Sequence, residues 1–210
     1  MNILKPQKLN FKEFENKCLT DMSEDEINDY CNFENEECNN INLYEIEFEH
    51  CKFSNICMQN GKLEKLTFRD VIFEQCNFSN TEFVDASFIR CEFHNCKVAG
   101  CNFIENRLYN ISFMETNANY MNLSMSNIEN ILFKDSGLKN GYFQENRIKN
   151  IYFDNVDLTQ SKFFKTSLKG VDLSTSKIEG IAISTEDIKG AIIDEFQAVD
   201  LLYLIGVELK

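Results

Sequence analysis

The chain has no tryptophan, a single proline (Pro6) and two histidines among 210 residues. No stretch approaches the roughly 18 to 20 apolar residues that a membrane helix needs, so a membrane span is excluded. The opening MNILKPQKLNF is too short and too polar for a secretory signal, and a soluble cytoplasmic protein is expected. Positive charge is also in short supply. The net charge is −13, opposite to the basic footprint of nucleic-acid binding, and excludes direct DNA or RNA contact. The acidity serves solubility, or attracts a basic partner. Signatures of chemistry are missing too. No Ser-His-Asp order, glycine-rich phosphate loop or zinc-protease motif is present, and His50 and His94 stand apart on outward positions. No enzyme, cofactor, metal site or small-molecule substrate is expected.

What is present is a five-residue period. From Phe33 to Ile193 every fifth residue is apolar, 33 positions without a phase shift, and 15 of the 19 phenylalanines lie in this register. Two residues earlier runs a column of small or medium side chains, such as Cys31, Cys51, Val71, Ala86, Cys91 and Ser126. Two residues later runs a column rich in Asn and Gly, from Asn35 and Asn40 to Gly170, Gly180 and Gly190. Asn and Gly tolerate positive φ and tight corners. The period fits neither a helix nor a plain strand.

A motif of small residue, polar residue, Leu or Phe, then two turn residues resembles the pentapeptide-repeat family. The resemblance covers about residues 31–195. It implies an all-β solenoid, a right-handed quadrilateral β-helix of about eight coils with a short C-terminal α-helix. The central residue and the one two before it point inward. Residues 20 apart then stack, so Phe33, Phe53, Phe73, Phe93, Phe113, Phe133 and Phe153 form a core ladder. At roughly 4.8 Å per coil the rod is on the order of 40 Å long. The nine cysteines fall mostly in the small inward column and are read as reduced, buried thiols; the stacked pairs Cys31 with Cys51 and Cys76 with Cys96 approach disulfide spacing. Asn106 and Asn146, also inward, are expected to bond to backbone. Glu36 and Glu186 at inward positions are expected to be partly exposed.

Three segments follow: 1–30 as an N-terminal cap, with Leu9, Phe11 and Phe14 to cover the first coil; 31–193 as the β-helix; 194–210 as a C-terminal helix and tail. Asp194 and Gln197 make a capping box and Gly206 a terminator. Ala198, Leu201, Leu202 and Ile205 share one helical face, and Phe196, Val199 and Tyr203 a second. One seals the last coil, and the other calls for a partner. Val207 and Leu209 alternate with Glu208 as in a short strand.

The ending AIIDEFQAVDLLYLIGVEL and the stretch FIRCEFHNCKVAGCNF resemble the Qnr-type subgroup, which protects DNA gyrase from quinolones. The resemblance implies a tail-to-tail homodimer through the C-terminal helix, shaped like B-DNA, that binds DNA gyrase or topoisomerase IV by DNA mimicry. The loops that interrupt the coil in several members are absent. A scaffolding solenoid with an unrelated protein partner is the alternative. Residues 1–50 carry net −9, against −2 for 51–130 and −2 for 131–210. The centre of such a dimer is therefore nearly balanced, unless one face of the rod is acidic and another basic.

Overall fold

In the computed structural model, residues 3–6 and 13–207 are described. They form a β-solenoid of about eight turns, square in section. Its corners set the geometry. Every fifth residue from Asp25 to Gly170 has φ between 48° and 76°. Asn and Gly accept this left-handed conformation at low cost, and the register imposes it on Tyr30, Lys65, Tyr120 and Met125 as well. β-Branched residues resist it. The two threonines in this column, Thr175 and Thr185, depart from it, and Thr185 instead opens a helical turn, α1 (Thr185–Ile188).

Each coil pairs in parallel with the next at an offset of 20 residues. The four faces can be named by their central columns. On the Phe48 and Phe53 faces the strands join into one 11-stranded sheet. Its longest members turn the shared corner without a break: β1 (Ser87–His94), β2 (Arg107–Met114), β3 (Asn127–Lys134) and β4 (Arg147–Asp154). The Leu63 face holds a three-stranded and a two-stranded sheet, and the Met58 face has only single bridges.

The interior is continuous. Phe33, Phe53, Phe73, Phe93, Phe113, Phe133 and Phe153 are buried, with successive rings 4.8, 5.0, 4.4, 4.7, 4.8 and 5.8 Å apart. Each ring removes apolar area from water, and each between Phe33 and Phe153 has a ring above and below. The small column solves a different problem, the burial of polar atoms. Its side chains donate to the carbonyl 23 residues earlier: Thr81 to Met58, Ser126 to Phe103, Ser161 to Leu138, Thr166 to Phe143. Asn106 does the same to Phe83 and accepts from the Ala86 N–H at 2.8 Å.

The coil starts before Cys31. Glu15–Asn16 pairs with Cys31–Asn32, and Ile27–Asp29 with Glu47–Glu49. Asn28 lies fully buried opposite Phe48, its Oδ1 accepting from Lys17 Nζ at 2.8 Å. Backbone pairing thus extends into 1–30, where the interior residue is polar. Leu19 is buried against the first coil, Phe14 is half-buried against Tyr30, and Leu9 and Phe11 lie outside the described residues. Glu36 is partly exposed and accepts the Leu19 N–H at 2.8 Å, whereas Glu186 is exposed at the α1 turn. The segment 3–6 reaches the middle of the rod, where the Leu4 N–H donates to Asn110 Oδ1.

Among the described residues the ladder opens beside β4. On the Phe48 and Phe53 faces, no backbone hydrogen bond joins Ile148–Phe153 of β4 to residues 167–174 of the next coil. The coils close again one step on, through Leu168 to Asp187, Gly170 to Gly190 and Leu173 to Ile192. They are closed on the opposite side of the same step, through Leu158 to Lys177.

Candidate interaction surfaces

The C-terminal end is built around a reciprocal cap. Asp194 Oδ1 accepts the Phe196 and Gln197 N–H groups, and Gln197 Oε1 accepts the Asp194 N–H at 3.0 Å. This fixes the start of α2 (Gln197–Asp200), which passes into a 3₁₀ turn at Leu202–Ile205. Gly206, at φ 71°, ends it. Gln197 is itself buried, and its Nε2 donates to the carbonyls of Leu173 and Ser176, so the cap residue also satisfies the last coil.

The sealing face differs from the helical-wheel expectation. Leu201 and Leu204 pack on the core and Leu202 is half-buried, while Ala198 is exposed; the Ile205 side chain lies outside the described residues, as do Glu208 and Leu209. The reason is the change of helix type. A 3₁₀ turn advances 120° per residue instead of 100°, which brings Leu204 round to the core. The second apolar face is open to water. Phe196 is 78% exposed, with Val199 at 52% and Tyr203 at 50%; Ile192, also exposed, precedes the helix in an extended bridge to Asp172. Tyr203 is anchored from within, its hydroxyl donating to the Ile181 carbonyl, and burial raises its pKa.

Charge is sorted by face. All four arginines lie on the Phe48 face, which is basic between residues 66 and 170, with Arg69, Arg90, Arg107, Arg147, Lys149 and Lys169 against Asp70 and Glu129; its first coils hold Glu26, Asp29, Glu47 and Glu49, and its last Glu186 and Asp187 beside Lys189. Two of the arginines are tied down: Arg90 forks onto the buried Asp70, and Arg69 pairs with Glu49 at 2.8 Å. The Phe53 face is acidic, with Glu34, Glu74, Glu92, Glu115, Asp135, Asp154 and Asp172 against Lys52 and Lys134. Spacing by 20 would have exposed this sorting in the sequence, since the columns are fixed once the coil length is known.

Few groups invite chemistry. Burial pushes the thiols of Cys51, Cys91 and Cys101 up to about 12 and Cys38 to about 11, away from the reactive thiolate. All nine cysteines are free. Among the described residues one group, Asp29, Glu49 and His50, brings three potential metal ligands within 4.8 Å. Each already has a partner: Asp29 holds His50 Nδ1 at 2.8 Å, and Glu49 holds Arg69. His50 is further stacked on Tyr30 at 4.7 Å. His94 pairs with Glu92.

The profile of the pentapeptide repeat region matches residues 67–143 and 86–163. No protein among curated sequences matches the chain. Among solved structures, QnrB1, a plasmid-mediated fluoroquinolone resistance protein, is 17% identical over 94% of this chain and 99% of its own, with a TM-score of 0.45. HetL from the cyanobacterium Nostoc sp. strain PCC 7120, involved in heterocyst differentiation regulation, is 13% identical over 75% and 91%, with a TM-score of 0.33. Rfr23 from the cyanobacterium Cyanothece 51142 is 15% identical over 80% and 91%, at 0.26. At these values the likenesses carry no argument about function. The profile match and the unbroken five-residue register identify residues 67–163 of this chain as a pentapeptide repeat region.

Proposed function

We propose that the chain is a non-catalytic interaction protein, a rod that dimerises tail to tail and engages a type II topoisomerase such as DNA gyrase in place of DNA. The observation that carries the dimer is the open row Phe196, Val199 and Tyr203 on the C-terminal cap. An exposed apolar row on a helix whose other face is already packed calls for a partner surface. A two-fold axis there lets the same row cover itself.

The topoisomerase reading rests on the C-terminal module's resemblance to the Qnr-type subgroup and on the acidic Phe53 face. Seven carboxylates along that face, at coil spacing, would present a line of negative charge to a basic DNA-binding saddle. Such binding weakens as salt rises, because exposed charges are screened beyond about 10 Å at 0.1 M. A scaffolding role is favoured by the basic middle of the Phe48 face, residues 66–170, which DNA mimicry leaves unused.

Two measurements test this. Sedimentation of the full chain at tens of micromolar should give a dimer, and Val199→Arg a folded monomer. Gyrase supercoiling and drug-induced cleavage should change when the protein is added at low salt. A monomeric wild-type chain would remove the dimer; no effect on gyrase with or without quinolone would leave the scaffold reading.

A further inference from the structure

The seam beside β4 carries three independent marks. The backbone ladder is interrupted from Ile148 to Phe153, as described above. The gap holds a hollow of about 390 Å³, lined by Ile148 and Asn150–Asp154 on one side and by Lys169–Asp172 on the other. Ile148 is the one central residue between Phe33 and Ile183 that is not fully buried, and the Nδ2 of Asn146 beside it is buried without a partner. An unpaired strand edge is a template for another strand.

The far edge of β4 shows what such a strand would look like. There β4 pairs with β3 in the register Glu129 to Lys149 and Lys134 to Asp154, and both pairs are ion pairs, at 2.5 and 2.9 Å. The open edge repeats this charge pattern. A residue entering between Lys149 and Lys169 would have an ammonium group on each side. Five residues later its successor would lie beside Asp154, with Asp172 close by. Arg147 and Lys169 hold no ion pair among the described residues. Between these ends the entering strand must turn the corner held by Asn150 at φ 66° and Gly170 at φ 76°. Inward positions opposite Ile151 and Phe153 follow.

We propose that this seam is a docking slot for an extended peptide strand of a partner protein, running parallel to β4. Its chemistry is an acidic residue, then Asn or Gly, a medium apolar residue, any residue, Leu or Phe, and a basic residue. The slot takes one repeat of the rod's own kind, donated from outside. Backbone hydrogen bonds supply the affinity, and the charges at the two ends set register and direction. The proposal does not depend on dimerisation or on a topoisomerase.

The probe is the six-residue peptide Glu-Asn-Ile-Leu-Phe-Lys, acetylated and amidated, which copies residues 129–134. A fluorescent form is titrated into the full-length protein and compared with the reversed sequence. The forward peptide should bind at least tenfold tighter. Lys169→Glu, at an exposed position without an ion pair among the described residues, should weaken it several-fold without changing the melting temperature. In the free protein the amides of Ile148, Asn150 and Phe153 should exchange faster than those of Ile128, Asn130 and Phe133. Saturation with peptide should slow them by tenfold or more. Equal affinity for the two peptides, or unchanged exchange at these three amides, would overturn the proposal.

Discussion

β4 meets two neighbours, and only one of them pairs with it through backbone; from the other, Thr175 Oγ1 alone donates to the Phe153 carbonyl, at 3.4 Å. Toward β3 it is paired along its whole length; toward residues 167–174 it is not. The interior on the two sides is similar, Ile128 and Phe133 against Leu168 and Leu173, so apolar content does not explain the difference. The corners do. Toward β3 the corner after the Phe53 face is Asp135, at φ 48°; at the seam it is Thr175, which does not enter the left-handed region. There Thr175 Oγ1 takes the Asn155 N–H at 3.2 Å, a bond that elsewhere goes to backbone. A filled core is therefore not enough to close a coil; the corner residue must also permit the turn.

The comparison can be broken most severely by charge. Phe93→Lys places an unpaired ammonium group between closed coils and should prevent folding, seen as loss of the cooperative melt. Ile148→Lys, at the half-buried seam position, should still fold, at a cost of about 1 to 2 kcal/mol, because the amine can reach water. If both variants fold equally well, the seam is not distinct from the body. The amides give the next largest contrast. Asn106→Leu strands the Ala86 N–H and the Phe83 carbonyl and should cost about 2 to 3 kcal/mol by urea titration. Asn146→Leu loses the bond to the Ser126 N–H but removes an orphaned Nδ2, and about 1 kcal/mol is expected.

Thr175→Asn should sharpen the case from the other direction. Asn accepts the left-handed corner, so the variant should gain about 0.5 to 1 kcal/mol and slow amide exchange at Asn150 and Phe153. The smallest effect belongs to the first coil. Burial raises the pKa of Glu36, and its Oε1 lacks a partner. The folded state thus holds the proton more tightly than the unfolded one. The penalty is fully present above the raised folded pKa and fades as pH falls through it toward the unfolded value of 4.5. Glu36→Gln should remove this slope and add about 0.5 kcal/mol near neutral pH. A pH–stability curve identical to wild type would contradict it.

Much of the solenoid was legible because its rule is arithmetic. A single period specifies which residues point inward, and the Asp194–Gln197 cap follows from side-chain chemistry over three residues. What stayed hidden depends on relations the period does not contain. Asn28 is polar, so the register looks finished at Cys31, yet the backbone continues past it because Lys17 satisfies its oxygen. Leu204 joins the sealing face and Ala198 leaves it because a helix type changed within one turn, which spacing cannot show. Leu19 was inconspicuous in a polar stretch, and its burial depends on a turn pinned by Glu36. The seam has one signal in plain view, Thr175 in a column free of β-branched residues from Asp25 to Gly170, and its meaning lies in what the corner forbids.

The unbroken register also constrains how this rod can change over generations. Losing one residue from the middle would turn every downstream phenylalanine out of the core, and losing five would rotate the downstream part by a quarter turn while keeping its interior. Only a change of 20 residues leaves each face continuous, ladders and charges included. The molecule is a measuring stick whose gradations are single coils of about 4.8 Å. Substitutions can repaint a face, but its reach alters only in whole marks.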